Sequence, residues 1–228
     1  ASNSPSTQAA WRGSRADILI ASGQLDAAER LLDKHDEASL EWVLRRAKVA
    51  LANEQFSDAA ELLEGVPTAS PEVAFAFGQA LAGSGEWEDA IPHLEAASTT
   101  LPDGAQQSYA WAALGRALGD LGQTERSNTA LETALSLNGD DPHLVARVHT
   151  HRFEAATAIL DLEAAQGHLA QATTTLLQCG DRSRAANSLT QTGILELIRH
   201  DPEAANTSLG KSRVICRDDG LPLQEARA

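Results

Sequence analysis

Histidine and cysteine side chains are the first candidates for chemistry in this sequence, because they can bind metals or act as nucleophiles. His149 and His151 are two residues apart on a segment with helical periodicity, so their side chains point to different sides of the helix. No His-x3-His pair lies near cysteines or carboxylates at the spacing of a zinc site. Cys179 and Cys216 fit no metal motif, and both buried thiols and a disulfide or redox pair stay open. The sequence predicts no metal and no cofactor.

Motifs that position a nucleophile or a phosphate group are also missing. The sequence contains no G-x-x-x-x-G-K-[ST], G-x-S-x-G or G-x-G-x-x-G segment. Gly83-Ser-Gly85 lies between two helical patterns and is interpreted as a turn. These observations predict no catalytic residues and a protein that is not an enzyme.

The net charge of −14 restricts the classes of partner. A negative field repels phosphate backbones, so we expect no nucleic-acid partner. Apolar runs are short and interrupted by charge, so we expect no membrane insertion. The expected location is the cytoplasm; because the chain starts at Ala1 and not Met, a leader peptide removed before this point stays open.

A short pattern recurs along the chain: a turn residue, one further residue, a large apolar residue and, three positions later, Ala. The clearest copies are Gly23-Gln-Leu25-Asp-Ala-Ala28, Glu54-Gln-Phe56-Ser-Asp-Ala59 and Gly85-Glu-Trp87-Glu-Asp-Ala90. Weaker copies are Gly122-Gln-Thr124-Glu-Arg-Ser127, Leu162-Glu-Ala-Ala165 and Pro202-Glu-Ala-Ala205. A Leu follows each copy four residues later, which places the small residue and the Leu on one face of a helix.

The segment upstream of each turn forms the other half of the repeat. Trp111-Ala-Ala-Leu114-Gly115-Arg-Ala-Leu118 has the Trp, Leu-Gly and large-residue spacing of the tetratricopeptide signature, and Gly78 and Gly193 occupy the same slot as Gly115. A glycine inside a helix costs about 1 kcal/mol relative to Ala, so its recurrence needs a steric reason. We expect a paired helix to cross there, with the Ala of the second helix packed into the gap.

The chain resembles the tetratricopeptide-repeat (TPR) family, in a bacterial-type array of about six repeats. The resemblance implies an all-α fold, a right-handed superhelical solenoid of antiparallel helix pairs. The expected repeats lie near 9–38, 39–69, 70–103, 104–140, 141–180 and 181–217, preceded by a disordered tail at 1–8 and followed at 218–228 by the start of a further or capping helix. A change of curvature is expected near 100–108, and all four Trp residues are expected in the core, with Trp42 the most exposed.

Function in this family lies on the concave face made by the first helix of each pair. The predicted binding residues all fall at groove-facing slots of first helices. They are Arg45, Lys48, Gln79, Tyr109, Arg116, Arg147 and His151. The four cations among them would form a positive track on an acidic chain, suited to an acidic or C-terminal peptide segment, because Arg binds carboxylates through two parallel hydrogen bonds. Solvated surface charges are the alternative interpretation.

The resemblance implies a non-catalytic scaffold that binds a protein or peptide in this groove. Two alternatives stay open: a regulatory or sensor region of a larger signalling enzyme or transcription regulator, and an oligomeric scaffold that self-associates through the ends of the solenoid. A sub-family that holds acidic chaperone tails uses a clamp of Lys, Asn and Arg. Gly13, Asp17 and Glu72 stand at three of the matching slots, so that clamp is absent.

Overall fold

The computed structural model describes residues 5–34, 39–102 and 104–220, and these ranges contain twelve α-helices and no strand. The first six are α1 (Pro5–Ala21), α2 (Leu25–Asp33), α3 (Leu40–Ala52), α4 (Phe56–Leu63), α5 (Pro71–Gly83) and α6 (Trp87–Thr100). The remaining six are α7 (Gly104–Asp120), α8 (Thr124–Asn138), α9 (Pro142–Ala158), α10 (Leu162–Cys179), α11 (Arg182–Ile198) and α12 (Pro202–Asp218). The predicted all-α fold built from six helix pairs is confirmed.

The chain divides into two compact units, Ala1–Leu101 and Pro102–Ala228. In the first unit, α1 packs on α2, α3 on α4 and α5 on α6. Each first helix also contacts the next first helix, since α1 packs on α3 and α3 on α5. Turns of only three residues separate the two helices of each pair, so the helices run antiparallel.

The second unit repeats this arrangement with one departure. Its pairs are α7 with α8, α9 with α10 and α11 with α12, and α7 packs closely on α9. Helix α11 packs on α10, yet among the described residues no Cα atom of α11 lies within 8 Å of a Cα atom of α9. The first helices of the last two pairs therefore stand apart and leave a cleft between them.

The small residue of each repeat is buried, which confirms the register of the pattern. The six positions are exposed by 3% or less: Ala28, Ala59, Ala90, Ser127, Ala165 and Ala205. The Ser in the fourth repeat has a specific role, because the Ser127 hydroxyl donates a buried hydrogen bond of 2.6 Å to the carbonyl oxygen of Gly115.

Gly78, Gly115 and Gly193 lie where two paired helices cross. A Cβ atom added at Gly115 would lie 2.7 Å from the Cδ2 atom of Leu131, and one at Gly193 would lie 2.7 Å from Leu209 Cγ. The predicted steric reason for these glycines is correct. The identity of the packed residue was wrong: the Leu four residues after the Ala fills the space, because it reaches further than the Ala methyl group.

A period of twenty residues governs the last four helices. Each begins directly after an Asp whose side chain accepts a hydrogen bond from a backbone N–H of the first turn. These caps are Asp141, Asp161, Asp181 and Asp201. The residue before three of them has a positive φ: 60° at Leu160, 82° at Gly180 and 62° at His200. Helices of near-equal length are thus joined by the same turn.

Several sequence expectations need correction. Trp42 is only 2% exposed and its indole Nε1 donates to the carbonyl oxygen of Leu32, whereas Trp11, expected in the core, is 61% exposed. Trp42 is enclosed by the first two repeats, while Trp11 lies on the first helix of the array. Cys179 is exposed and only Cys216 is buried; both are free thiols.

The expectations for the two ends are tested only in part. Helix α1 begins at Pro5, so residues 5–8 of the expected tail are helical, and residues 1–4 lie outside the described part. Of the expected final helix, residue 218 instead ends α12, and residues 221–228 also lie outside.

Candidate functional site

The seven predicted binding residues divide between the two units. Arg45, Lys48 and Gln79 belong to the first unit, on α3 and α5. Tyr109, Arg116, Arg147 and His151 belong to the second unit, on α7 and α9.

Arg45 is engaged inside the first unit. Its Nε and one terminal nitrogen donate to the two carboxylate oxygens of Asp17 at 2.9 and 3.0 Å, and Glu41 lies 3.5 Å away. The hydrogen bonds that Arg45 donates to Asp17 outweigh the effect of burial and raise the pKa of Arg45. Its guanidinium carbon would lie 3.0 Å from a Cβ atom at Gly13. Asp17 and Arg45, which both lie at groove-facing slots, are therefore joined by an ion pair that connects α1 to α3.

The surroundings of the other two predicted residues of the first unit give little support for a binding role. Lys48 is exposed, and its positive charge contributes to the lowered pKa of Glu72, for which the hydrogen bond from Ser70 is the main cause. Gln79 is half-buried on α5. These two positions remain predictions.

In the second unit, Tyr109 and Arg147 form a cation–π pair. The guanidinium carbon of Arg147 lies 5.1 Å from the centroid of the Tyr109 ring. The Tyr109 hydroxyl donates to Asp141 at 2.8 Å, and burial together with this bond raises the pKa of Tyr109 to about 12. Because Asp141 also accepts from the backbone N–H of His143, it holds the tyrosine against the start of α9.

Arg147 differs from the other predicted arginines in its electrostatic surroundings. Within the described part of the chain no carboxylate oxygen lies within 4.0 Å of its guanidinium, whereas Arg45 and Arg116 each have two carboxylate partners. Burial lowers the pKa of Arg147, and the nearby charges of Arg184 and Arg116 act in the same direction. A partly buried cation without a paired anion is energetically unfavourable, and a bound anion would relieve that cost.

Arg116 and His151 meet at Glu154. Arg116 Nε lies 3.5 Å from a Glu154 oxygen and 3.6 Å from Asp120, and His151 Nδ1 lies 3.2 Å from the same Glu154 oxygen. Burial lowers the pKa of His151 despite the carboxylate, so the imidazole is neutral near pH 7. Nδ1 therefore carries the proton, because an ionised carboxylate can only accept.

The surroundings shift the pKa values of the two carboxylates of this cluster in opposite directions. Burial alone would raise the pKa of Glu154, but the hydrogen bond from His151 and the charge of Arg116 lower it overall. At Asp120 burial dominates and raises the pKa. Both carboxylates have Arg116 beside them, whereas among the described residues no carboxylate oxygen lies within 4.0 Å of the Arg147 guanidinium.

These side chains surround a cavity of about 510 Å³ in the cleft between α9 and α11. From α9 it is lined by Arg147, Thr150, His151 and Glu154, and from α11 by Arg184, Asn187, Ser188 and Gln191. Apolar side chains of α10, Leu169 and Leu176, complete the lining together with Phe153 of α9. Leu169 and Leu176 are only 1% and 4% exposed, so these two side chains present almost no apolar surface to the cavity.

Two residues that the sequence did not predict as binding residues, Arg184 and His143, also line this cavity. Asp181 serves both: its carboxylate lies 3.6 Å from Arg184 and 3.4 Å from His143 Nδ1. Arg184 lies three residues before Asn187 on α11, so helical spacing from the groove-facing slots was the available signal. The position of His143 beside α11 depends on how the helices pack, which spacing along the chain does not reveal.

One histidine pair lies apart from this group. His149 of α9 and His168 of α10 approach each other with their Nδ1 atoms 3.4 Å apart. Across the residues that the structure describes, no group of three or more His, Cys, Asp or Glu is arranged to hold a metal ion. No helix in the same ranges is long and apolar enough to cross a membrane.

Comparison with known proteins identifies the fold. No protein-family model matches the sequence, and a search of curated proteins found no match. A Rap protein in complex with competence and sporulation factor has a similar structure, with a TM-score of 0.67 and 17% identity over 95% of this chain and 68% of that one. PilF of Pseudomonas aeruginosa gives a TM-score of 0.56 and 16% identity over 89% of this chain and 90% of that one.

A third similar structure is that of a putative kinesin light chain from Podospora anserina, whose TPR-like repeats are nearly identical to one another. Its TM-score is 0.56, with 17% identity over 79% of this chain and 96% of that one. Identities this low establish the fold alone. With six helix pairs in its described residues, buried small residues at every repeat and these structural neighbours, the chain has the fold of tetratricopeptide-repeat proteins.

Proposed function

We propose that the chain is a non-catalytic scaffold that binds a protein or peptide along the first helices of its repeats. The observation that carries this proposal is the cleft between α9 and α11, where Arg147 lies beside a cavity of about 510 Å³ without a carboxylate partner within 4.0 Å among the described residues. A cavity with convergent polar groups and an apolar lining is the usual form of a binding site. The similar Rap structure, which is a complex with competence and sporulation factor, supports a binding role for this fold.

The internal ion pairs narrow the binding surface that the sequence predicts. Arg45 and Arg116 have carboxylate partners, so a ligand would have to compete with Asp17 or Glu154 for them. Arg147 offers its N–H groups without that competition. The second unit is therefore the proposed centre of binding. Lys48 and Gln79 belong to the first unit and stay separate predicted contacts of that unit.

The test is affinity capture from a cell lysate with the intact chain and two charge-matched variants. Arg147→Gln removes the proposed contact, and Arg213→Gln removes an exposed cation of α12 that does not line the cavity. The proposal expects proteins or peptides retained by the unmodified chain and by Arg213→Gln to be lost from Arg147→Gln. Equal capture by all three proteins would contradict the location of the site.

A second candidate function is regulatory. The chain spans about two thirds of the length of the Rap chains it resembles, which suits a TPR region that belongs to a longer signalling protein. In that role, binding at the cleft would alter hydrogen exchange in α7 and α12 as well as in α9 and α11. Protection confined to the helices that line the cavity would favour the simple scaffold.

A further inference from the structure

Two histidines of the second unit face each other across a helix pair, away from the binding site proposed above. His149 lies on α9 and His168 on α10, and neither lines the α9–α11 cavity. We propose that these two imidazoles bind a zinc ion, with water molecules completing its coordination. The ion links α9 to α10, and its binding does not depend on the scaffold function.

The separation of the two ring nitrogens fits a shared metal ion. The Nδ1 atoms are 3.4 Å apart and the ring centroids 5.7 Å apart, so each Nδ1 atom is directed towards the other ring. Two nitrogen ligands at about 2.0–2.1 Å from a tetrahedral zinc ion lie roughly 3.3–3.4 Å from each other. The adjustment that coordination requires is a small tilt of the rings, so that the two lone pairs converge on one point.

A hydrogen bond between the rings is the competing interpretation. It needs a proton on one of the two Nδ1 atoms, and 3.4 Å is longer than the roughly 2.7–3.2 Å of most N–H···O hydrogen bonds in proteins. If both imidazoles carry their proton on Nε2 instead, two lone pairs face each other, which is unfavourable. A cation between them replaces this repulsion with two coordinate bonds.

Both imidazoles are available to a metal ion near neutral pH. Burial lowers the pKa of His149 and of His168 below the ordinary value of 6.5, so both rings are mostly neutral at about pH 7. Neutral imidazole is the form that binds metals. Nitrogen ligands also select against Mg²⁺ and Ca²⁺, which prefer oxygen, so zinc is favoured over the cations that the many surface carboxylates attract.

The charges around the pair limit the affinity of the site. Arg152 lies one turn after His149 on α9, and its positive charge acts on both imidazoles. Glu132 of α8 lies 4.0 Å from the Arg152 guanidinium and offsets part of that charge, and Asp161 acts on His168 with the opposite sign. With two protein ligands and a nearby cation, binding is expected to be reversible and weaker than at a structural zinc site with four protein ligands.

Isothermal titration calorimetry of the intact chain with zinc chloride tests the inference. The protein is first treated with EDTA and dialysed, and the titration contains a large excess of magnesium chloride to occupy carboxylate sites. His149→Gln and His168→Gln should each bind zinc about tenfold or more weakly, because either change leaves a single ligand. His200→Asn changes an exposed histidine outside the pair and should bind as the parent does. Unchanged affinity in both Gln variants would overturn the site.

Arg152→Gln distinguishes a metal site from a merely structural contact. This substitution removes a positive charge that acts on both rings and leaves both ligands in place, so it should tighten zinc binding. Equal or weaker binding by a folded Arg152→Gln protein would contradict the position of the ion. If one Gln variant does not fold, the other variant and Arg152→Gln decide the question.

Cobalt chloride provides a spectroscopic test on the unmodified chain. Tetrahedral Co²⁺ absorbs visible light strongly and octahedral Co²⁺ only weakly, and thiolate ligands add a charge-transfer band in the near ultraviolet. We expect the tetrahedral spectrum without the thiolate band, which would exclude Cys179 and Cys216 as ligands. A thiolate band or an octahedral spectrum would overturn the assignment. Zinc should also raise the melting temperature of the parent more than that of His168→Gln, because the site exists only when α9 and α10 are paired.

Discussion

Gly115 and Gly167 are both helical glycines, yet the same substitution should have opposite effects at the two positions. A Cβ atom at Gly115 would lie 2.7 Å from Leu131, whereas nothing lies within 4 Å of one at exposed Gly167. We expect Gly115→Ala to destabilise the fold by about 1–3 kcal/mol through overpacking. Gly167→Ala should stabilise it by about 0.5–1 kcal/mol through helix propensity.

Urea unfolding followed by circular dichroism measures both effects. Gly167→Ala serves as the control, because it makes the same chemical change in a helix without a crossing partner. A Gly115→Ala protein as stable as the parent would show that α7 and α8 separate easily, contrary to the close packing of Leu131.

The His149–His168 pair predicts a loss of stability on mild acidification. Burial lowers the pKa of both imidazoles below the ordinary value of 6.5, and the charge of nearby Arg152 acts in the same direction. The unfolded chain therefore binds protons more readily than the folded one, so stability falls as the pH drops below about 6.5. Asp161 opposes this shift at His168 only in part.

Melting temperatures at about pH 7.5 and pH 5.5 test this expectation. His168→Gln should reduce the difference between the two temperatures, and His200→Asn, which changes an exposed histidine, should not. An unchanged difference in His168→Gln would assign the acid sensitivity to another group, with buried His151 the next candidate.

At the scale of the helix, the Asp caps should each contribute measurable stability. Asp161 accepts from the backbone N–H of Ala164 at 3.1 Å, so Asp161→Ala leaves that donor without its capping bond. We expect a cost of about 1 kcal/mol. Asp140→Ala is the control, because this exposed residue lies next to a cap without being one. Equal stability of the two variants would contradict the capping role.

In the turn between α9 and α10, a substitution is expected to stabilise the fold. Leu160 has a φ of 60°, is 78% exposed, and occupies the position that Gly180 fills in the next turn. A left-handed conformation costs a non-glycine residue about 1–2 kcal/mol. Leu160→Gly should therefore raise the midpoint of urea unfolding, whereas Leu177→Gly, in a regular helix, should lower it.

At the scale of the whole molecule, the division into two units predicts an independently folding half. Every residue that lines the α9–α11 cavity belongs to the unit Pro102–Ala228. Residues 102–228 alone should therefore show a helical circular dichroism spectrum and retain from a cell lysate the same proteins or peptides as the intact chain does. Loss of binding in a folded fragment would mean that the first unit contributes directly to the ligand contacts.

The sequence predicted the helices well because local signals define them. Helix α10 lies at Leu162–Cys179, within the expected repeat at 141–180, since an Asp cap begins it and a left-handed Gly follows its end. Side-chain partners were less predictable. The Arg45–Asp17 pair joins residues 28 positions apart, and only the packing of α1 on α3 brings them together.

The cleft could not be predicted for a similar reason. The separation of α9 from α11 depends on the summed packing of both helices on α10. The repeat pattern is the same on either side of the cleft, so it contains no sign of the change. The groove-facing slots of Arg147 and His151 followed from the helical period, whereas the isolation of Arg147 from carboxylates did not.

Because the turns and caps of the last four helices recur every twenty residues, a forty-residue block can be removed or inserted between equivalent turns. Removing residues 161–200 would join Leu160 directly to Asp201, and the new junction would have the same left-handed residue and the same cap as each original one. Gain or loss of a forty-residue block in this region therefore needs no newly evolved loop. Loss of the block would remove α10 and α11 and with them the cavity, whereas a second copy of it would lack Arg147, which lies on α9 outside the block.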